Sequence, residues 1–498
     1  MLIAAVVALA AAVVLRFLST SVMWLDESQT VAISHRSLPD LFSALRVDGS
    51  PPLFYLLLHF WMDVVGTGTF AVRALSGIIS VAALALMPVA ARRLGLSRGA
   101  SWIALLLLAT CPFAIRYATE ARMYSLVLLL CLLGIIAFER VWRDGSFWWI
   151  VAAAAVTAGL LLTHYWSLFL YAVTFALAIV LSLRGSHPAR RVLVALALGA
   201  VPFIPWAPTF VFQMLHTGAP WGSPPSIDTP LLTPSQWSGF GTFGTLLSIA
   251  YYLLLVVALV GHSRSPGDDS VDGDREWFGV GRPVRRLPAL LLGISGAALL
   301  AGSLVGMVLG SAYADRYSTM ALAPALIAVA IGLTALPARW LVPAVTVVCA
   351  CGLIASIALP FGQRTQAKQV ANHLAVAAPG DVVVFCPDQL GPAVHRLLPT
   401  TGRQVVYPTL GSPDIVNWVD YADRIKSSHP DKVARSIEAM AGDNRIWLVF
   451  ATDYPLFGSH CTKLLTDLSA ARGAPRLLVK AHPSLLEHES LAEFPAKP

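Results

Sequence analysis

The chain has 498 residues, of which 56% are hydrophobic and 13% charged, with a mean hydropathy of +0.69 and a formal charge of +7. That balance excludes a soluble globular protein, whose surface needs about a quarter of its residues charged. The positive charge does not mark a nucleic-acid binder, because the arginines sit mainly in short loops between apolar runs, as the positive-inside rule describes.

Apolar runs long enough to cross a hydrocarbon core recur over the first 360 positions, so the composition defines a polytopic membrane protein. The first, "LIAAVVALAAAVVLRFLSTSVMW", has no basic n-region and a poor cleavage site, and reads as a retained helix over 2–22 rather than a signal peptide. Further spans are predicted at 70–91, 100–115, 123–141, 147–163, 167–183, 192–209, 240–261, 288–311, 319–336 and 341–359. With the N-terminus cytoplasmic, "ARRLGLSRG", "ERVWRDG", "LRGSHPARR", the long basic loop 262–288 and "LPARW" all fall on the cytoplasmic side. The opposite face receives loops rich in aromatic, acidic and histidine residues. "PPLFYLLLHFWMDVVG" (51–66) is apolar but short and opens with Pro-Pro. As a true span it would swap the sides of every later loop. It therefore reads as a re-entrant or interfacial helix in a long first outer loop, 24–69.

After residue 361 the composition changes. "GDVVVFCPDQLG", "RQVVYPT", "NRIWLVFATDYP" and "PRLLVKAHP" read as short strands, and "GPAVHRLLP", "PDKVARSIEAMAG" and "CTKLLTDLSAARG" as helices with Gly or Pro stops. The expected architecture is a polytopic α-helical membrane domain of about eleven spans, residues 1–361, followed by a small extracytoplasmic α/β domain, residues 362–498. The cysteines form no metal pattern. Cys386 and Cys461 could pair if the tail is extracytoplasmic, while Cys111, Cys131, Cys349 and Cys351 read as small hydrophobes.

Chemistry is sought among the carboxylates near helix ends on the outer face, where charge is costly unless paired or used. Asp26 and Glu27 follow Trp24, read as an interfacial anchor. Adjacent helical residues point about 100° apart, so one carboxylate would meet a reacting hydroxyl and the other a metal, a backbone group or a partner. A pair of waterside residues at a helix end fits the position equally. Asp40 reads as the N-cap of "LFSALRV". In "RYATEARMYSL" the spacings of Arg116, Glu120 and Tyr124 place them on one helix face. "YADRYS" repeats the theme with Tyr313, Asp315, Arg316 and Tyr317. His59 and His164 sit beside aromatics at the ends of apolar runs, where a lone histidine is more often a satisfied polar residue. No spacing implies a zinc site, so a divalent cation (Mg or Mn), if used, would be labile and held by oxygen. All six lysines lie from Lys368 onward, so an anion clamp in the membrane part must use Arg, His, Tyr or backbone N–H groups.

"WLDES", "DGSPPLFYLLLHFW", "FAVRALSGI", "ARRLG" and "RYATEARMYSL" together resemble the GT-C superfamily of membrane glycosyltransferases, in its protein-mannosyltransferase-like and lipid A aminoarabinose transferase-like branch. The resemblance covers roughly residues 1–210, with weaker agreement through "YADRYSTMALAP". It implies a sugar donor carried on polyprenyl phosphate and an acceptor approaching from the extracytoplasmic side. The acceptor would be a cell-envelope glycan, glycolipid or protein, and transfer would invert the anomeric carbon. It assigns Asp26 as general base with Glu27 in support, and mannose or arabinofuranose as the favoured sugar. Donor-phosphate contacts fall to Arg122 and Arg316 with His59, since the lysine some relatives use is missing. Asp48, Tyr117, Glu120, Tyr124, His164 and Tyr313 are the substrate-binding candidates.

Two other classes fit the same solubility profile: a lipid-linked-sugar flippase and a non-catalytic scaffold. A transporter should carry internal repeats and midplane polar groups, whereas here the polar residues cluster toward one face. The loop sorting is tested by reporter fusions after residues 95 and 365. The first is expected to read cytoplasmic and the second extracytoplasmic, and a cytoplasmic tail would overturn the threading.

Overall fold

The computed structural model describes residues 2–218, 222–261, 286–454 and 456–497. The long basic loop expected at 262–288 lies almost wholly outside them. Among the described residues, each of the eleven expected spans coincides with helix. Seven are long and apolar enough to cross a membrane unaided: Thr69–Arg93, Tyr124–Arg143, His187–His216, Gly241–Val260, Arg286–Leu309, Asp315–Thr334 and Ala338–Ile357. Arg98–Ala109 and Pro112–Ala118 pass together as a pair bent by 56°, and Ile3–Leu15, Phe147–Thr163 and Ser167–Leu183 are shorter apolar helices. The chain is thus a multi-pass helical membrane protein with a small sheet near its C-terminus.

Two compact units organise it, one of residues 1–19, 73–208 and 224–360, the other of residues 20–72, 209–223 and 361–498. This cuts the chain differently from a single boundary at 361, because the first outer loop groups with the tail.

In the first unit the Thr319–Thr334 helix is apolar on all sides and almost wholly buried, which makes it the centre of the bundle. Small residues let backbones approach closely, as in other membrane bundles. A Cβ on Gly332 would lie 2.1 Å from the Leu254 carbonyl oxygen, and one on Gly199 would lie 2.6 Å from that of Ala154. Prolines 202 and 205 turn the end of one span into a 3-10 segment, Val201–Trp206, instead of the uniform helix expected to 209.

The first helix stops at Leu15, seven residues earlier than expected, because Arg16 leaves the helix to serve a neighbour. Its buried guanidinium donates through Nη1 to the carbonyl oxygens of Ala12 (2.7 Å) and Ala109 (2.9 Å). It also donates through Nη2 to Leu108 (2.9 Å) and through Nε to Ser80 Oγ (3.0 Å). Leu108 and Ala109 end the helix that breaks before Pro112, and their carbonyls would otherwise be orphaned in an apolar setting.

In the second unit the sheet runs β2-β1-β3-β5-β4, with β1 Val382–Cys386, β2 Arg403–Val406, β3 Ile446–Phe450, β4 Arg476–Val479 and β5 Ser490–Phe494. β2, β1 and β3 are parallel, while β5 is antiparallel to both neighbours. β1 and β3 are buried on both faces, as an internal parallel pair requires. Val382, Val384, Ile446 and Leu448 face the helices Pro430–Ala441 and His460–Arg472, and Val383, Phe385, Trp447 and Val449 face Ala367–Leu374 and Gly391–Leu397. β5, between β3 and β4, has too few apolar residues to stand out in the sequence. A disulfide joins Cys386 at the end of β1 to Cys461.

The outer loop folds onto this sheet as three helices, Leu25–Ser34, Leu38–Asp48 and Leu53–Val65. Val22 and Leu25 pack against the two sheet cores, Arg36 Nη2 meets Asp414 Oδ2 at 2.5 Å, and the Trp418 N–H donates to the Val47 carbonyl at 3.0 Å. Two expectations are corrected. Ser37, not Asp40, caps the second of these helices, its Oγ accepting from the Asp40 N–H (3.5 Å). Trp24 is buried in its unit rather than presented to an interface.

Two outcomes follow. Arg16→Leu strands at least two helix-terminal carbonyls and should cost on the order of 3 kcal/mol. Thermal unfolding of the detergent-solubilised chain reads this as a lowered midpoint. Asp388 is buried and accepts from the Tyr421 hydroxyl. Burial raises its carboxyl to about 7, with Tyr421 and Arg424 opposing. A raised carboxyl favours the fold at low pH, and that contribution is lost as pH climbs from the ordinary carboxylate range through 7. Asp388→Asn should therefore raise the unfolding midpoint at pH 8 relative to wild type, and leave it little changed at pH 5.

Candidate active site

The first unit gathers its polar side chains around the broken helix. Pro112–Ala118 ends where the Thr119 hydroxyl bonds the Arg116 carbonyl (2.8 Å). A tight turn, closed by the Arg122 N–H on the Glu120 carbonyl (2.8 Å), precedes the next helix at Tyr124. The face expected to be shared by Arg116, Glu120 and Tyr124 on one helix is therefore split by a turn. Arg116 Nε still lies 3.6 Å from Oε1 of the fully buried Glu120.

Tyr117 reaches across the bundle to donate to Asp315 Oδ1 (3.0 Å), which also accepts from the Arg316 N–H (2.7 Å). Arg116, Glu120, Asp315 and Arg316 thus share one electrostatic environment, and Arg122 and Arg316 both act on His164. Among the contacts described, Arg116, Arg122 and Arg316 gather around Glu120 and Asp315.

Aromatic rings wall this cluster. Tyr117 and Tyr124 are 4.9 Å apart, Tyr124 and His164 5.8 Å, His164 and Tyr317 5.2 Å, and Trp166 and Tyr313 5.3 Å. Tyr313 donates to Gln236 Oε1 (3.1 Å). His164 Nδ1 accepts from the Trp166 N–H (3.2 Å), which assigns its proton to Nε2. Tyr124, His164, Trp166, Arg316 and Tyr317 line a small pocket, which shares Ser167 and Met320 with an apolar cavity of about 190 Å³. Phe138, Leu160, Leu170, Tyr171, Leu291 and Pro324 line the rest of that cavity.

The second unit holds the acidic pair. Asp26 and Glu27 occupy the first turn of Leu25–Ser34, where the helix dipole favours negative charge. Asp26 is partly exposed and Glu27 is fully buried, with its Oε2 3.7 Å from Arg364 Nη1. Gln29, two residues on, accepts from the Val416 N–H (2.9 Å) and donates to Asp48 Oδ1, while Tyr55 donates to Asp48 Oδ2 (2.9 Å). Asp48 therefore braces two helices. His59 is joined through Nδ1 to the Ser34 carbonyl (2.8 Å) and faces Asp63 across 3.8 Å. Within its unit His59 thus supports the helix that carries Asp26 and Glu27.

The expected residues fall into two sets: Arg122, Arg316, Tyr117, Glu120, Tyr124, His164 and Tyr313 in the first unit, and Asp26, Glu27, Asp48 and His59 in the second. Trp166, Gln236, Arg364, Glu487 and Glu489 were missed. Trp166 follows the flagged His164 by two residues, but Arg364 and Glu487 are brought to Glu27 by folding across more than 300 positions. Among the described residues no three His, Cys, Asp or Glu side chains lie close enough together to hold a metal ion.

Residues 49–208 match the family model described as dolichyl-phosphate-mannose-protein mannosyltransferase. The fold matches the crystal structure of ArnT from Cupriavidus metallidurans bound to undecaprenyl phosphate. The TM-score is 0.63 at 14% identity, over 98% of this chain and 96% of that one. The apo ArnT structure from the same organism gives the same score and identity over 98% and 97%. No curated protein matches the chain. Over nearly its whole length the chain therefore has the fold seen in ArnT.

Proposed function

We propose that the protein is a membrane glycosyltransferase that moves a sugar from a polyprenyl-phosphate donor to a hydroxyl of a cell-envelope glycan, glycolipid or protein, with mannose or arabinofuranose the favoured sugar. The observation that carries this reading is the cluster of Arg116, Arg122 and Arg316 among aromatic rings in the first unit, with Arg316 in a narrow cleft that shares its lining with an apolar cavity. Guanidiniums beside an apolar cavity match the chemistry of a ligand with an anionic head and a hydrocarbon tail, and the ArnT structure with undecaprenyl phosphate supports it.

The chemistry asks for two things. The attacking hydroxyl, with a pKa far above 7, must lose its proton as its oxygen bonds to the anomeric carbon. The bond from that carbon to the phosphate oxygen must break, with the electron pair leaving on polyprenyl phosphate. Asp26, partly exposed at a helix N-terminus, is the proposed base, worth about 10²- to 10⁴-fold. Arg122 and Arg316 stabilise the charge on the departing phosphate. Glu120 orients Arg116, Asp315 receives Tyr117, and the rings exclude water. Attack opposite the leaving group inverts the anomeric carbon. His59 holds the helix that carries Asp26 through the Ser34 carbonyl and remains the proposed supporting donor to the phosphate. The Cys386–Cys461 disulfide supports an extracytoplasmic second unit, since such bonds persist in oxidising compartments.

The test is polyprenyl-phosphate binding and sugar transfer by wild type, Arg122→Gln and Arg316→Gln in nanodiscs. Each substitution removes a charged hydrogen-bond donor and should weaken binding about tenfold or more. Undiminished binding in both variants would overturn the phosphate assignment.

A further inference from the structure

Residues 364–366 and 487–489 run side by side in the second unit. Thr365 and Glu487 form a parallel bridge, the Gln366 N–H donates to the Glu487 carbonyl (3.1 Å), and the Glu487 N–H donates to that of Arg364 (2.9 Å). The Gln366 side chain fixes the second strand of the pair. Its Oε1 accepts from the N–H groups of His482 (2.7 Å) and Glu489 (3.1 Å), and its Nε2 donates to the Lys480 carbonyl (3.0 Å).

This braced pair meets the first turn of the Asp26 helix. The Arg364 N–H donates to Ser21 Oγ (3.0 Å) just ahead of that helix, and the Arg364 guanidinium faces Glu27. The helix cap, Trp24, offers no side-chain acceptor, and the Glu487 carboxyl faces the Leu25 N–H and the Thr365 hydroxyl.

Glu487 and Glu489 are buried, and none of their four carboxyl oxygens has a well-formed hydrogen bond. Asp26 and Glu27 act on Glu487, and Glu487 acts on Glu489; Tyr454 faces both buried glutamates, and Asp453 pairs with His488 (2.7 Å). Three buried carboxyls thus lie near the partly exposed Asp26, and Arg364 meets Glu27. An ionised buried carboxylate without a partner costs several kcal/mol. Burial, with the neighbouring carboxylates, pushes Glu487 and Glu489 above the usual carboxylate range.

We propose that Arg364 and Glu487 are positioning residues for the proposed base: Arg364 meets Glu27 and Ser21, and Glu487, bridged to Thr365 beside the first helical turn, fixes the turn that carries Asp26. This rests on the assignment of Asp26. Because the raised carboxyl favours the compact arrangement at low pH, ionisation of Glu487 as pH rises through its elevated range repels Asp26 and Glu27 and loosens the turn.

The test follows full-length protein in nanodiscs between pH 5.5 and 9, with two readouts. These are amide exchange of residues 22–34, corrected for intrinsic rate, and transfer from radiolabelled mannosyl polyprenyl phosphate. Wild type should lose protection and transfer on the alkaline limb, and Glu487→Gln should carry both upward by about one pH unit or more. Arg364→Gln should lower transfer about tenfold or more at every pH, with faster exchange in the same segment. Superimposable alkaline limbs in wild type and Glu487→Gln would overturn the proposal. If wild type transfers nothing, the functional reading fails while exchange alone decides the positioning role: a Glu487-dependent loosening upholds it and its absence overturns it.

Discussion

The constraint on which the first unit depends is that a helix broken inside apolar surroundings must find partners for its last carbonyls. Water cannot supply them there, and Arg16 does, reaching from the end of the first helix to Leu108 and Ala109. Once that break is sealed, Pro112 starts a short helix at 56° to the last, carrying Arg116 and Tyr117 toward Asp315. The turn at 119–123 then sets Arg122 and Tyr124 against His164. The placement of Arg116, Tyr117, Arg122 and Tyr124 is a consequence of the break.

In the second unit the same economy of charge operates in a different setting. The helix bearing Asp26 and Glu27 is held by groups drawn from far along the chain: Arg364 on Glu27, Val416 on Gln29, and Asp414 on Arg36. The C-terminal α/β fold is therefore part of what presents the acidic pair, rather than an appendage to a self-sufficient membrane domain. This accounts for the grouping of residues 20–72 with the tail.

The spans were legible because a membrane helix must be continuously apolar, and every expected run became helix. Their ends were less so. The first stopped early because Arg16 had a tertiary partner that no local pattern reveals, and the 116–126 stretch looked continuous although its helix ends at Ala118. The strands of the tail were readable where both faces are buried and the residues run Val-Val-Val-Phe or Ile-Trp-Leu-Val-Phe. β5, "SLAEF", was not, because it mixes small and charged residues. Of the candidate site, residue types near helix ends were readable, but their pairing was not. Asp48 and His59 look free in sequence, yet each is committed to bracing a helix. Glu487 and Glu489 drew no notice because a tail glutamate is ordinarily solvated, and only folding buries them.

The central claim is that Asp26 takes the proton of the attacking hydroxyl. Single-turnover transfer from preloaded mannosyl polyprenyl phosphate, comparing wild type with Asp26→Asn, tests it most directly. The account predicts a loss of about 100-fold or more in the transfer rate with donor binding unchanged. Transfer by Asp26→Asn at the wild-type rate would contradict it.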